Sequence, residues 1–283
     1  MADEKSTQPL SATDPMAAAA GAAAAFDAAA ADFPDPVPER PDLVNLPAGL
    51  KIGDKIVKTA FVRELNGLAE EQIFRAVLSR NPYHIRATII GCGARQIGDE
   101  PEAETPRLLK QMLIGDLDAI MLGIYRMTYG GEVKVPGWTC PVCGDTEDIG
   151  LDVDEDIEVR KLADPSDRFF RVPLRKGGEA MVRLPDAEDQ AAAGDDAERT
   201  MPERNSIILQ RCISEVTDAA GNSKLFVAFP NAARDMGIKD REAVLQAIYE
   251  RSPGPQYTAI KFTHNSCGKE VTLALDLADL FLG

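Results

Sequence analysis

The chain has no run of about 18 consecutive apolar residues, so no spanning helix is expected. It has little positive charge: 31 basic side chains stand against 46 acidic ones, for a net charge of −15 and a pI near 4.6. The basic residues never gather into a patch, and the densest stretch, 168–176, holds only four. A dedicated nucleic-acid binder, which needs a basic face for phosphates, is therefore disfavoured. Cysteine is sparse and odd in number, five in 283 residues, which does not suit a disulfide scaffold and points to reduced thiols. Signature motifs are missing as well. No GxxxxGK[ST], GxGxxG, HExxH or GxSxG occurs, and the carboxylates lie in solvated runs from which no acid/base pair can be chosen.

The chain does have the means for a folded interior. With 45% hydrophobic residues it is long enough for one or two domains with a true core. Residues 1–45 differ from the rest, with alanine at 17–20, 22–25 and 28–31 and then Pro34, Pro36 and Pro38. Acids at Asp3, Glu4 and Asp14 and the weakly apolar tract argue against a signal peptide. The expectation is a disordered Ala/Pro-rich tail ending in a stiff linker.

Residues 51–62 read as extended segments around Gly53-Asp54. A helix is expected over 68–80, where Leu68, Ile73, Phe74, Val77 and Leu78 recur at helical spacing before Asn81-Pro82 stops it. The run 85–92 fits a strand or a buried helix equally. Thr105-Pro106 has the form of an N-cap and first-turn proline opening a helix to 113. Gly115-Asp116 starts another, with Leu117, Ile120, Met121, Ile124 and Met127 as its stripe and Gly130-Gly131 as its end. Residues 132–138 are extended. Segments 169–174 and 179–184 flank Arg175-Lys176-Gly177-Gly178 as a hairpin. The acidic stretch 185–202 reads as a solvated helix or loop, 205–216 as apolar-periodic and 240–251 as a short helix.

One constellation carries chemistry. Cys140-Pro141-Val142-Cys143-Gly144 has the form of a zinc knuckle: two thiolates two residues apart can face one ion from a tight turn closed by the glycine. A redox CxxC shares the spacing, but this pair follows a β segment rather than opening a long helix, and acids surround it. His264-Asn265-Ser266-Cys267-Gly268 repeats the pattern of ligand, two residues, cysteine and glycine. A β-like segment follows each, so Cys140, Cys143, His264 and Cys267 form a Cys₃His set suited to one zinc in a ribbon whose halves are 120 residues (144–263) apart. Four protein ligands would make that zinc structural. Cys92 and Cys212 lie in apolar runs and read as core thiols, while His84 reads as a surface group. No catalytic residue can be named.

The motif order resembles the family of T-even-type phage baseplate hub proteins, often described as baseplate hub assembly chaperones. The resemblance rests on Leu113-Ile114-Gly115-Asp116 through Tyr125-Arg126-Met127-Thr128-Tyr129-Gly130, on the first knuckle with its acidic strand, and on the second knuckle with the apolar end 271–282. It spans residue 46 to the C-terminus, and departs from the family where His264 stands in place of a cysteine. It implies a non-enzymatic part of tail or baseplate assembly, with hub or tube proteins as partners. The setting would be the host bacterial cytoplasm during assembly or the virion tail. A zinc-ribbon adaptor in transcription or translation, and an enzyme with a structural zinc, are the alternatives.

The fold class expected is α+β, with a split zinc ribbon joining a helical part and a β-rich insertion. The expected divisions are the tail (1–45), a mainly helical part (46–137), the first knuckle and strand (138–152), a β-hairpin and helical insertion (153–256), and the second knuckle with the C-terminal strand (257–283).

Overall fold

The computed structural model describes residues 40–282. Most of the Ala/Pro-rich tail lies outside the described residues, but strand β1 (Leu43–Ile52) already begins inside the segment expected to be tail. It turns at Gly53, where φ is +58°, into β2 (Lys55–Val62). The part expected to be mainly helical thus opens on a sheet, which β3 (Ala94–Ile97) extends in the order β1-β2-β3. Between β1 and β2 the register shifts from Asn45 to Leu50, and this bulge recurs below.

Helix α1 (Gly67–Val77) is capped by Asn66, whose side chain accepts from Ala69 N. Its buried face is Ala69, Ile73 and Ala76, whereas Leu68 and Leu78 are 63% and 83% exposed and Phe74 is half exposed. Of the expected stripe only Ile73 lies on the buried face, while Leu68, Phe74 and Leu78 face outward. At 100° per residue, Leu68 and Leu78 lie about 140° around the helix from Ile73. Asn81-Pro82 does not merely end α1; it begins α2 (Pro82–Gly93). The Asn81 side chain accepts from Tyr83 N and His84 N, and proline occupies the first helical position. The ambiguous run 85–92 is thus helical. Cys92, expected in the core, is only partly buried, with Sγ donating to Gln72 Oε1 at 3.1 Å. His84 is exposed as expected.

Helix α3 covers only Thr105–Leu109, and Thr105 is not its cap: its hydroxyl donates to Arg95 O, back onto β3. Helix α4 (Ile114–Tyr129) is buried continuously from Gly115 to Tyr125 and ends at Gly130, where φ is +87°. It is followed by β4 (Glu132–Thr139) and β5 (Thr146–Asp152), an antiparallel hairpin.

The chain then leaves through a narrow neck in which β6 (Val159–Arg160) pairs with β11 (Gly254–Pro255). Between these lie β7 (Phe169–Pro173), β8 (Glu179–Arg183), helix α5 (Ala187–Gly194), α6 (Met201–Cys212), β9 (Ile213–Thr217), β10 (Ser223–Leu225), the single turn α7 (Ala232–Asp235) and α8 (Ile238–Arg251). The four strands form one sheet in the order β10-β9-β8-β7. After the neck, β12 (Ile260–Thr263) and β13 (Glu270–Leu273) form the last hairpin.

Two hydrophobic clusters result. One joins the β1–β3 sheet, α4, the β4–β5 hairpin, the β12–β13 hairpin and the C-terminal Leu277 and Phe281. The other fills the inserted sheet and its helices around Val182, Leu209, Ile213 and Val244. Both helices and strands contribute, as an α+β class requires.

Gly115-Asp116 pins the two clusters together. A Cβ on Gly115 would sit 1.8 Å from Pro253 O and 2.9 Å from Gly254 Cα, so only glycine lets α4 pass the neck. Gly115→Ala is expected to destabilise by about 3 kcal/mol or to prevent folding, read as the urea midpoint. Asp116, fully buried, accepts from Ala48 N at 2.8 Å and Gly49 N at 3.4 Å, which satisfies the donors freed by the β1 bulge. Burial raises its pKa to about 6, opposed by those two N–H groups and by Arg168.

A carboxyl raised in the folded state binds more protons there than in the unfolded chain. Stability is therefore lost as pH rises from about 4 to 6, on the order of 3 kcal/mol for this group. Asp116→Asn should remove that share of the slope. Wild-type and variant urea midpoints that run parallel over pH 4–7 would contradict it.

Candidate metal centre

Each knuckle sits at the tip of a hairpin: Cys140 to Gly144 join β4 to β5, and His264 to Gly268 join β12 to β13. Their backbones repeat each other. Cys140 N donates to Asp145 O and Gly144 N to Cys140 O; His264 N donates to Lys269 O and Gly268 N to His264 O, all between 2.8 and 3.0 Å. Gly144 and Gly268 have φ of +79° and +62°, the left-handed conformation that closes each turn.

The ligating atoms of Cys140, Cys143, His264 and Cys267 lie within 4.8 Å of one another, close enough to bind one metal ion. His264 Nδ1 is 3.2 Å from Cys267 Sγ and 3.5 Å from Cys143 Sγ. A tetrahedral ion with M–N of about 2.05 Å and M–S of about 2.3 Å would set N···S edges of about 3.6 Å. The donor set therefore fits such an ion in both chemistry and spacing. Backbone N–H groups point at the sulfurs. Burial raises the Cys140 thiol, but the N–H groups of Cys143 and Val142 outweigh it and leave Cys140 below the ordinary range. Cys143 receives the N–H of Asp145, yet burial and the adjoining thiols push it up to about 11.

Sequence reasoning missed what orients the histidine. His264 is fully buried, and its Nε2 lies 3.1 Å from Glu147 Oε1 on β5, a close approach of two buried atoms that otherwise have no hydrogen-bond partner among the described residues and that do not themselves meet hydrogen-bond geometry. The carboxylate thus stands on the Nε2 side of the ring while Nδ1 faces the thiols, the arrangement in which a carboxylate behind a metal-binding imidazole helps to orient it. In the sequence Glu147 was one acid among many; its signal was its place on the strand leaving the first knuckle. Trp138 is the second missed residue. The β4 register shifts between Val135 and Trp138, with Gly137 at φ +62°. The bulge places the Trp138 ring 5.2 Å from Phe262 and 5.8 Å from His264, binding the hairpins beside the cluster.

Cys212 lies away from this site, buried in the inserted cluster, with burial pushing its thiol up to about 12. Among the described residues no helix is long and apolar enough to cross a membrane. Comparison of the chain with protein-family models, curated proteins and solved structures finds no match.

Proposed function

We propose that Cys140, Cys143, His264 and Cys267 hold one zinc ion that closes a split ribbon, and that the chain is a non-enzymatic assembly or structural component of a contractile-tail baseplate hub. The observation that carries the metal reading is the pairing of two like knuckles whose four donors face one point. Three soft thiolates and an imidazole favour zinc over the oxygen-seeking cations. Four protein donors leave no open coordination position, so the ion would stabilise rather than catalyse, with Glu147 orienting His264.

The hub reading rests on the order of motifs: the Gly115-Asp116 helix, the first knuckle, then the second. The large net negative charge, which favours solubility, is compatible with it. The test is affinity recovery of the tagged full chain from cells that express it naturally, with partners identified by mass spectrometry. Sheath, tube and baseplate proteins are expected. Recovery of transcription or translation machinery would instead favour the adaptor alternative, and recovery of neither class would overturn the hub reading.

A further inference from the structure

A cleft of about 270 Å³ lies where the two hydrophobic clusters meet, and its walls are basic in an otherwise acidic protein. Four cations reach it from four separate segments: Lys51 on β1, Lys110 after α3, Arg168 before β7 and Arg183 at the end of β8. Arg183 is already engaged, since both terminal nitrogens of its guanidinium bond Asp189 and one also approaches Asp186. Lys51, Lys110 and Arg168 form no ion pair among the described residues. Glu188, an opposing carboxylate, forms no ion pair among the described residues, and Asp186 is matched by Arg183. Arg168 also feels the buried Asp116 carboxyl, but no carboxylate pairs directly with it or with the two lysines among the described residues, although acids outnumber bases 46 to 31 in this chain.

The walls are fixed by backbone bonds. Leu184 N donates to Arg168 O, Ala187 N donates to Met112 O, and Leu113 bridges Asp186. The cations therefore converge on a built cleft, at the kind of junction between two cores where ligand sites concentrate. Leu50 and the half-exposed Phe169 supply an apolar side.

We propose that this cleft binds a small phosphate monoester, with its dianionic head between Arg168, Lys51 and Lys110 and its organic part against Leu50 and Phe169. The guanidinium of Arg168 offers a planar fork to two phosphate oxygens, and the lysines add compact charge beside it. The volume admits a small molecule rather than a polymer, and nothing in the assignment depends on the metal reading.

The experiment uses the full chain and phenyl phosphate as probe, followed by isothermal titration with sodium chloride matching the ionic strength of every arm. Saturable one-to-one binding is expected. It should weaken about tenfold or more in Arg168→Gln, and likewise in Lys110→Gln, since each removes a charge-assisted contact. Lys176→Gln, which changes an exposed cation of the β7–β8 turn, should bind as the wild type does. Lys110 is exposed, so its variant keeps the test alive should Arg168→Gln melt early. Benzoate should bind far more weakly. Absence of saturable binding, undiminished affinity in Lys110→Gln, an equal loss in Lys176→Gln, or equal affinity for benzoate would each overturn the proposal.

Discussion

Cys140→Ser and Cys267→Ser are expected to lower bound zinc from one ion per chain to near zero and to reduce the thermal midpoint by on the order of 10–20 °C. The size follows from what the ion would connect. Its two knuckles are separated by 120 residues (144–263), and a cross-link over a loop of that length removes about 4–5 kcal/mol of chain entropy from the unfolded state. The hairpins also share the first hydrophobic cluster through Val133, Ile149, Ile260 and Leu273, so loss of the ion should loosen the tips and weaken the fold rather than abolish every contact.

The companions are more diagnostic than the serines. His264→Cys should keep the metal, because a fourth thiolate completes an equally closed set. Glu147→Gln should retain stoichiometry but weaken affinity roughly 10- to 100-fold, since it removes only the group that orients the imidazole. Elemental analysis and calorimetry decide the matter. Wild-type protein with no metal and a melting point unaffected by a strong chelator would end the reading.

The second large effect is expected at Asp189, in the stretch 185–202 that the sequence suggests is solvated. Asp189 is fully buried at the first turn of α5 and forms a reciprocal capping box with Asp186. Arg183 grips both of its oxygens, at 2.5 and 2.9 Å, and Arg211 Nε donates to Oδ1 at 2.7 Å. One carboxylate thus ties α5 to β8 and α6. Asp189→Ala leaves two guanidinium groups facing an apolar gap, at a cost of about 3 kcal/mol; the lower end of the usual range applies because both arginines keep some access to water.

Burial pushes the Asp189 carboxyl upward, but Arg183, the Asp186 N–H and Arg211 hold it below the ordinary carboxylate range. A carboxyl depressed in the folded state binds fewer protons there than when unfolded. Its contribution is therefore present above about pH 4 and fades as pH falls through the lowered value. The wild-type advantage over Asp189→Ala should be full at pH 6–7 and shrink toward pH 3. An advantage independent of pH would show that packing, not charge, holds α5.

Features whose cause is local were legible in the sequence. Cys140 to Gly144 and His264 to Gly268 read as knuckles because a ligand, a two-residue gap and a glycine with positive φ are short-range requirements. The β7–β8 hairpin follows from its Gly177-Gly178 turn, and α4 from a stripe so apolar that most of the helix had to be buried. Even the split donor set could be assembled by matching one pattern to another across 120 residues (144–263).

Only tertiary structure decided which groups face each other. Nothing in α1 says that Ala69 and Ala76 are buried while Leu68 and Leu78 face outward; the neighbouring helix selects the small-residue face. Asp189 resembles any acid of a solvated run until Arg183 and Arg211 meet it, and Glu147 until His264 turns toward it. Lys51, Lys110 and Arg168 are scattered cations until the two cores dock and leave them around one cleft. Turns, caps and apolar periodicity are encoded over a few residues. The energy of a buried charge depends on partners that chain topology brings from far away, so residue type and spacing could name the donors of the metal cluster but not the groups that hold them in place.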